Sequence, residues 1–337
     1  SYKSFVKSES EIITLFYDKF ADIPLLSRMD AVAETFIDEI ETLLNRDLPE
    51  EERIPLIEKF QKMYETMDFY VLYNRFLKEE GYQTLPRRPL EKRKLRYEDV
   101  YPVLYLKYRL SRQAERSNIK HLVIDEMQDY SRLQYLIIRR MFSCKMTILG
   151  DRAQTMADQQ QDVLQFLPGI FGKDLRRIEM RKSYRNTVEI ASYAANLIGV
   201  TDLELFERHG MPVLERDVTD LEAALREAVD TLFPDEKTYE TAAVIVPDEK
   251  TAERAYLILR EILAEKDFDC EKRLSWLNRD SSSFKKGLTV TTFYLAKGLE
   301  FDQVFSIFPK DEKREIMMQA QYIAATRALH ELRVYHI

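Results

Sequence analysis

From about residue 118 onward, short apolar runs alternate with amphipathic stretches of helical length. We predict strands at 121–124, 146–149, 175–180, 242–246, 288–293, 304–308 and 332–336. The stretches between them carry apolar residues at three- and four-residue spacing. They predict helices at 133–141, 188–198, 221–232, 252–263 and 314–329, whereas 274–287 has no clear pattern and is predicted to be a loop. Strands that alternate with helices of this length form βαβ units, so the expected fold is α/β with parallel sheets.

Residues 1–117 have a different pattern, in which helical spacing continues with little interruption. Apolar residues recur at three- and four-residue intervals over 30–44, 57–67 and 97–110, so we predict an all-helical region. A strongly basic tract occupies 87–96. Such a tract is ordinarily a solvated surface, and a surface that contacts phosphate is the alternative.

Charge and composition exclude several classes of protein. The 337 residues carry 51 lysines and arginines against 58 aspartates and glutamates, a net charge of −7, so there is no global basic field for nucleic acid, although a local basic groove is compatible with it. Eight glycines are about a third of average usage, which leaves few places for a phosphate-binding loop. The two cysteines and four histidines lack metal-ligand spacing. Without an apolar run of ~18 residues or a signal-peptide pattern, we expect a soluble, cytoplasmic protein with no membrane partner.

Two adjacent acids follow the first predicted strand. Asp125 and Glu126 come directly after the apolar run 122–124, at the carboxyl edge of the sheet, where open α/β folds bind ligands. One carboxylate there can hold Mg²⁺ while the other orients a water molecule. An acidic turn that caps a helix is the alternative.

Gln154 and Arg185 follow the next two predicted strands. Gln154 comes after a glycine turn at Gly150, where its amide can contact a terminal phosphate or position a water; an ordinary turn is the alternative. Arg185 precedes a predicted helix start at Asn186, with Glu189 as the capping-box partner. A guanidinium held there can neutralise charge on a phosphoryl group, as an arginine finger does.

A later strand and the last helix carry further candidates. The strand at 288–293 leads into a turn, and the hydroxyls of Thr291 and Thr292 suit contacts with a nucleic-acid backbone. Gly298 and Glu300 follow in the same turn, where the carboxylate suits a ribose. Arg327 lies near the end of the last predicted helix, where a cation also relieves the helix dipole.

Five short sequences occur in order along the chain: DEMQD, LGDRAQT, KSYRNT, TFYLAKGLEFD and YIAATRA. In that order they resemble motifs II to VI of the UvrD/Rep-like superfamily 1 DNA helicases, and the resemblance covers about residues 118–337. It implies RecA-like parallel sheets of the P-loop NTPase type. Residues 1–117 would then be a helical insertion of the first motor domain, 118–176 the C-terminal part of that RecA-like domain, and 177–337 the second RecA-like domain.

The resemblance also implies an ATP site between two RecA-like domains whose closure brings the arginines onto the γ-phosphate. The implied catalytic residues are Asp125 for Mg²⁺, Glu126 for the attacking water, Gln154 for the γ-phosphate region, and Arg185 and Arg327 as arginine fingers. The implied nucleotide contacts are Tyr184, Gly298 and Glu300.

Two features resemble the HelD-like branch of these helicases, whose members associate with RNA polymerase. One is the segment 97–107 ahead of the acidic strand. The other is the span of about 105 residues between Arg185 and Val290, which is too short for the large second accessory domain of Rep-like unwinding enzymes. We therefore expect an ATP-dependent helicase or translocase that acts on single-stranded or duplex DNA, or one that releases RNA polymerase from DNA.

Three departures from the family pattern stand out. Residues 156–161 contain no aromatic side chain where the family stacks bases, and Tyr294 stands where the family has histidine. No G-x-x-x-x-G-K-[ST] motif occurs, and the segment 169–174 has the wrong glycine spacing for one. We expect motif I to precede residue 1, so that the chain is the C-terminal part of a longer protein and lacks ATPase activity alone.

Three other functions are compatible with the residues. The chain can be a binding module without a P-loop, or an interaction protein whose acids and arginines pair across the fold. A nuclease that uses the acids with Mg²⁺ is the third, and it leaves the arginine motifs unexplained.

Overall fold

The protein forms two compact units in the computed structural model, which describes residues 7–112, 118–151, 154, 163–180, 182–200, 204–232, 239–266, 269–281, 286–310 and 315–337. The first unit comprises Ser1–Asp125, Tyr130–Leu149 and Val163–Leu175. The second unit comprises Glu126–Asp129, Gly150–Asp162 and Arg176–Ile337. The short segments 126–129 and 150–162 therefore belong with the C-terminal half of the chain.

The helices of the first unit cover most of its N-terminal residues. They are α1 (Glu9–Thr14), α2 (Arg28–Leu44), α3 (Glu50–Gln61), α4 (Phe69–Glu79) and α5 (Tyr97–Leu110). Helix α2 buries Val32, Phe36 and Ile40 on one face, where they pack with Phe60 of α3, and it ends at Asn45, which adopts a left-handed conformation with φ 50°. The helical prediction for this region is confirmed, except that the helix expected to reach residue 67 ends at Gln61.

A small parallel pair of strands follows in the same unit. Strand β1 (His121–Ile124) pairs with β2 (Lys145–Ile148), and α6 (Arg132–Met141) connects them. Helix α6 begins with a capping box between Ser131 and Gln134. Together with α7 (Val163–Phe171), it buries Tyr135 against Ile124 of β1, so the end of β1 is anchored in a core.

The second unit is built on a six-stranded parallel sheet in the order β5-β10-β9-β6-β8-β7. Its strands are β5 (Leu214–Asp217), β6 (Thr241–Val246), β7 (Leu274–Trp276), β8 (Gly287–Thr292), β9 (Phe301–Phe308) and β10 (Ala328–His336). The two-stranded pair β3 (Lys182–Ser183) and β4 (Glu204–Leu205) lies outside it. The predicted α/β fold with parallel sheets is confirmed.

Helices cover both faces of this sheet. The helices of the unit are α8 (Val188–Leu197), α9 (Leu221–Asp230), α10 (Glu249–Ala264), α11 (Cys270–Arg273) and α12 (Glu315–Ala325). Val244 of β6 packs with α9 and α10, while its neighbours Ala243 and Ile245 pack with α8 and α12. Because successive strand residues point to opposite faces, the near-continuous apolar sequence of β6 follows from burial on both sides.

A predicted strand and a predicted loop are wrong. Residues 175–180 form no strand, and Ile178 and Met180 are 74% and 87% exposed. Three of the six residues are charged, and no described strand lies beside them to complete their backbone hydrogen bonds. The predicted loop at 274–287 begins with β7, which pairs with β8. Three residues are too few to show a period of two.

The last predicted helix is too long at its C-terminal end. Helix α12 ends at Ala325 and β10 begins at Ala328, so the helix prediction to 329 runs into the final strand.

Among the described residues, no helix combines the length and the apolar character needed to cross a membrane.

Candidate functional site

The acidic segment after β1 contains a strained backbone position. Asp125 is exposed, and the next residue, Glu126, has φ 52°, in the left-handed region that non-glycine residues rarely adopt. Gln128 is buried and donates from Nε2 to Oε2 of Glu126 over 2.6 Å. The Gln128 amide therefore helps to hold the carboxylate of Glu126 in place.

Gly150 allows its own turn to approach the acidic segment at Met127 and Gln128. The backbone N–H of Asp151 donates to Oε1 of Gln128 over 3.1 Å. A Cβ atom at Gly150 would lie 2.5 Å from that same Oε1 and 2.6 Å from the backbone nitrogen of Met127. Only a glycine fits between the two segments without displacing backbone.

Lys297, which is not among the predicted site residues, connects three parts of the second unit. Its Nζ lies 2.7 Å from both carboxylate oxygens of Asp129 and 3.4 Å from Oε2 of Glu126. It also donates to the backbone oxygen of Gln154 over 3.3 Å. The side chain is 7% exposed, so a nearly buried ammonium group is held between two carboxylates.

Arg327 lies two residues beyond α12 and is 2% exposed. Its guanidinium donates to Oε1 of Gln154 over 3.4 Å, to the backbone oxygen of Leu299 over 3.4 Å and to that of Ile323 over 3.2 Å. Burial, together with the like charge of Arg185, lowers the pKa of Arg327 from its ordinary value. The buried guanidinium is thus held mainly by neutral oxygen acceptors.

Asn186 fixes the backbone on either side of Arg327. Its Nδ2 donates to the backbone oxygens of Thr326 and Ala328 over 3.2 and 2.6 Å. The sequence prediction that Asn186 caps α8 is wrong, because Thr187 is the N-cap and accepts from the N–H of Ile190. The amide of Asn186 positions the second predicted arginine instead.

The two predicted arginine fingers have different environments. Arg185 is about half exposed and its Nε lies 2.6 Å from Oε1 of Glu300, which is similarly exposed. The structure therefore pairs the predicted ribose contact with the first predicted arginine. A surface pair of this kind contributes little to stability, about 0–1 kcal/mol, and can open at low cost when a ligand arrives.

Gln154 and Tyr322 both contact Asp151. Gln154 is buried and donates to Oδ2 of Asp151 over 3.0 Å, and the hydroxyl of Tyr322 donates to the same oxygen over 3.1 Å. Burial and the adjacent Asp151 carboxylate raise the pKa of Tyr322. The tyrosine stays a hydrogen-bond donor at neutral pH, and it fixes Asp151 beside Gln154.

Tyr184 belongs to an exposed aromatic cluster. Its ring is 59% exposed and lies 5.5 Å from that of Phe206, which is 45% exposed. The Nζ of Lys182 lies 5.6 Å from the Tyr184 centroid. An exposed ring with a neighbouring cation is suited to packing against a flat, electron-rich ligand such as a nucleobase.

Three more predicted site residues lie in β8 and in the turn that follows it. Thr291 and Thr292 are buried in β8; Thr291 donates to the backbone oxygen of Leu277 over 3.2 Å, and the Thr292 hydroxyl has no partner among the described residues. Neither hydroxyl is accessible to a nucleic acid in this structure. Gly298 has φ 81° and an open surface around its Cα, which fits a turn residue. The stretch 156–161 lies outside the described residues.

Chemically, the site combines hard oxygen donors with arginine side chains. Asp125 and Glu126 carry the carboxylate oxygens that Mg²⁺ prefers, and this ion is usually held by only one or two carboxylates plus substrate phosphates. The described residues contain no group of three or more potential metal-ligating side chains, so a protein-only metal cage is absent from that part of the chain.

Comparison with known protein families gives a match over less than half of the chain. Residues 6–156 match the family described as the UvrD/REP helicase N-terminal domain. No curated protein matches the chain.

Several solved structures resemble parts of the chain. The C-terminal domain of a possible DNA helicase from Lactobacillus plantarum WCFS1 is 24% identical with a TM-score of 0.36, over 46% of this chain and 88% of that one. Arterivirus nonstructural protein 10, a helicase, is 14% identical with a TM-score of 0.35, over 79% of this chain and 50% of its own. The DUF1998 helicase MrfA, solved bound to DNA, is 11% identical with a TM-score of 0.37. The match covers 65% of this chain and 29% of MrfA. The chain thus spans half or less of the last two proteins.

Proposed function

We propose, from the match of residues 6–156 to the UvrD/REP helicase N-terminal domain, that this chain is part of an ATP-dependent helicase or translocase. In this proposal the chain supplies the acidic residues, the glutamine and the arginines of the nucleotide site. ATP hydrolysis there drives movement on DNA.

One observation carries the proposal. Glu126, Gln154 and Arg327 are far apart in the sequence, yet contacts through Lys297 connect them in one unit. Lys297 Nζ lies 3.4 Å from Oε2 of Glu126 and 3.3 Å from the backbone oxygen of Gln154, whose side-chain oxygen lies 3.4 Å from Arg327. A general base, a phosphate-contacting amide and a guanidinium are the groups that phosphoryl transfer to water requires.

Each side chain has a role that its environment supports. The carboxylate of Glu126, held by Gln128 and Lys297, accepts a proton from the attacking water and orients it. Arg185 exchanges its surface contact with Glu300 for the γ-phosphate. Arg327 is already fixed by neighbouring oxygens and keeps Gln154 oriented toward the ligand. These are positioning and electrostatic contributions, which dominate phosphoryl transfer.

Asp125 is the residue that would hold Mg²⁺, since it is the exposed carboxylate at the end of β1. When bound, Mg²⁺ neutralises part of the phosphate charge. Tyr184 would pack against the base and Glu300 would contact the sugar. The phosphate-binding glycine loop and its lysine have no counterpart in the sequence, so other residues must supply them and this chain alone does not turn over ATP.

Nucleotide binding and turnover test the proposal separately. A fluorescent ATP analogue with Mg²⁺ is titrated with the 337-residue chain, with Arg185→Ala and with Arg254→Ala, an exposed arginine of α10 that serves as the control. We expect Arg185→Ala to weaken binding about tenfold, which corresponds to one charge-assisted hydrogen bond, while the control leaves it unchanged.

Two results would contradict the proposal. One is that the wild-type chain and Arg185→Ala bind the nucleotide equally, since no arginine contact is then made. The other is ATP turnover by the chain alone, provided that Glu126→Gln abolishes it. Such turnover would show that hydrolysis does not need a phosphate-binding loop supplied by other residues.

A finer assignment within the family is the HelD-like branch, and it predicts a second partner. The described residues between Arg185 and Val290 contribute helices and strands to the six-stranded sheet unit, including α9, β6 and α10. This supports a protein without a large inserted domain at that point. Capture of purified RNA polymerase by the immobilised chain, with release of the polymerase from DNA on addition of ATP to the complete enzyme, supports this branch; DNA unwinding without polymerase binding contradicts it.

A further inference from the structure

The segment between α4 and α5 carries six cationic side chains, of which two are paired with acidic residues and four are exposed. Two of them hold the segment in place. Arg93 Nη1 lies 2.6 Å from Oδ2 of Asp68, with its guanidinium 4.7 Å from the ring centroid of Tyr70. Arg96 Nε donates to Oδ2 of the buried Asp99 over 2.8 Å. These two arginines are therefore engaged with the helices beneath them.

The other four cations face solvent. They make no ion pair and no side-chain hydrogen bond with another residue in the part of the chain that the structure describes. Glu91 is the single acid between positions 86 and 96, so their charge is largely uncompensated within the segment. The four exposed residues are Arg87, Arg88, Lys92 and Lys94.

The backbone that carries these cations is held in shape by hydrogen bonds to α4. Asn74 accepts from the N–H of Leu85 over 2.6 Å and donates to its carbonyl oxygen over 3.1 Å. The hydroxyl of Tyr70 donates to the carbonyl oxygen of Pro86 over 2.7 Å. Leu85 itself is 4% exposed and packs with Tyr73 and Leu77. The cations therefore project from an ordered loop, which lowers the entropy lost when a ligand binds.

We propose that this cationic loop, residues 86–96, binds the phosphate backbone of a nucleic acid without regard to sequence. Regularly spaced phosphates are the ligand that several neighbouring, unpaired lysines and arginines recognise best, and the release of counterions drives the association. Because the whole chain has a net charge of −7, electrostatic attraction of a nucleic acid requires a local cationic surface of this kind. The choice of a nucleic acid over another polyanion rests on the proposed function.

Two exposed tyrosines next to the loop favour a single strand. Tyr82 is 63% exposed and Tyr97 is 76% exposed, and they lie on either side of the cationic loop in the sequence. Unstacked bases can pack on exposed rings, which contributes about 1–3 kcal/mol per base. The paired bases of a duplex cannot do so.

Binding of labelled oligonucleotides without ATP tests the inference. The probes are two unrelated single strands of about 20 nucleotides and a duplex of the same length, and anisotropy is followed over a range of salt concentrations. The neutralised variant carries Arg87→Gln, Arg88→Gln, Lys92→Gln and Lys94→Gln. The matched control removes the same charge from exposed positions elsewhere, with Lys59→Gln, Lys62→Gln, Arg254→Gln and Arg260→Gln.

We expect the neutralised variant to bind both sequences at least tenfold more weakly at about 100 mM salt, and the slope of log K against log salt to fall by about 3. The control should lose less than about twofold. Tyr82→Ala with Tyr97→Ala should weaken binding of the single strand more than that of a duplex. Asn74→Ala, which keeps every charge but loosens the loop, should lower affinity with no change in the salt slope.

The inference is overturned if the neutralised variant and the control bind alike, or if only one of the two sequences loses affinity. It is also overturned if polyglutamate of equal charge binds as tightly as the oligonucleotide and depends on the same four residues, because the loop then recognises an acidic protein. Equal thermal unfolding of the variants and wild type shows that folding is unaffected. Arg185→Ala should leave oligonucleotide binding intact, so failure here and failure of the nucleotide site are distinguishable.

Discussion

The ammonium group of Lys297 lies 2.7 Å from both carboxylate oxygens of Asp129, although 168 residues separate them in the sequence. The same ammonium lies 3.4 Å from Glu126, the proposed general base. A single lysine therefore offsets part of the charge of the acidic segment and connects it to the turn after β8.

Replacing Lys297 by alanine should destabilise the protein by about 1–3 kcal/mol, because a nearly buried charge-assisted pair is lost and two carboxylates lose their cation. Urea unfolding measures the change, with the exposed Lys250→Ala as control. A double-mutant cycle with Asp129→Asn should give a coupling energy above about 0.5 kcal/mol; additive losses would show that the pair contributes nothing.

The two predicted arginine fingers should differ in their effect on stability. Arg327→Ala should cost about 2–4 kcal/mol, because the oxygens of Gln154, Leu299 and Ile323 lose a donor in a buried site. Arg185→Ala should cost less than about 1 kcal/mol, since its contact with Glu300 is on the surface. Equal losses in chemical denaturation would contradict this contrast.

Gly150 and Gly169 form a matched pair for substitution by alanine. A Cβ at Gly150 meets Gln128 and Met127 at 2.5 Å, so Gly150→Ala should destabilise the protein by about 1–3 kcal/mol through overpacking. Gly169 lies in α7 with nothing within 4 Å of an added Cβ, so Gly169→Ala should stabilise it by about 0.5–1 kcal/mol. Melting temperatures that shift in the same direction would refute the steric argument.

The threonines of β8 test the sequence-based assignment of nucleic-acid contacts. Thr292→Val should be neutral or stabilising, because its buried hydroxyl has no partner among the described residues. Thr291→Val should cost about 1 kcal/mol, since the bond to Leu277 is lost. Oligonucleotide affinity should stay the same in both variants. A loss of affinity in a variant that melts like the wild type would show that the threonine hydroxyl contacts nucleic acid after all.

Stability between pH 4.5 and pH 2 should depend on Glu189. Hydrogen bonds from His209 and from the N–H of Gly210 lower the pKa of Glu189 to about 2. A carboxylate with a lowered pKa adds stability above its ordinary pKa of 4.5, and this contribution disappears as the pH falls toward 2. Glu189→Gln should therefore lower the melting temperature at pH 6 and have little effect near pH 2. The exposed Glu253→Gln serves as control, and a pH-independent difference would contradict the assignment.

Many strands and helices of the second unit could be predicted from the sequence because the central strands are buried on both faces. Strand β6 is a near-continuous apolar run, β8 and β9 each contain shorter apolar stretches, and the helices between them show clear spacing. Strand β7 was missed because its three residues are defined by pairing with β8 rather than by their own pattern. The strand prediction at 175–180 is wrong because three of its six residues are charged and no described strand pairs with it.

The sequence by itself determined which residue types stand at the ends of the strands: the acids after β1, Gln154 after β2, and the arginines in their motifs. Only the tertiary structure decided how they are used. It buries Arg327 and leaves Arg185 exposed, turns Asn186 from a predicted cap into a support for Arg327, and places Lys297 against Asp129. Such contacts depend on distances between residues more than a hundred positions apart, and local periodicity carries no information about those distances.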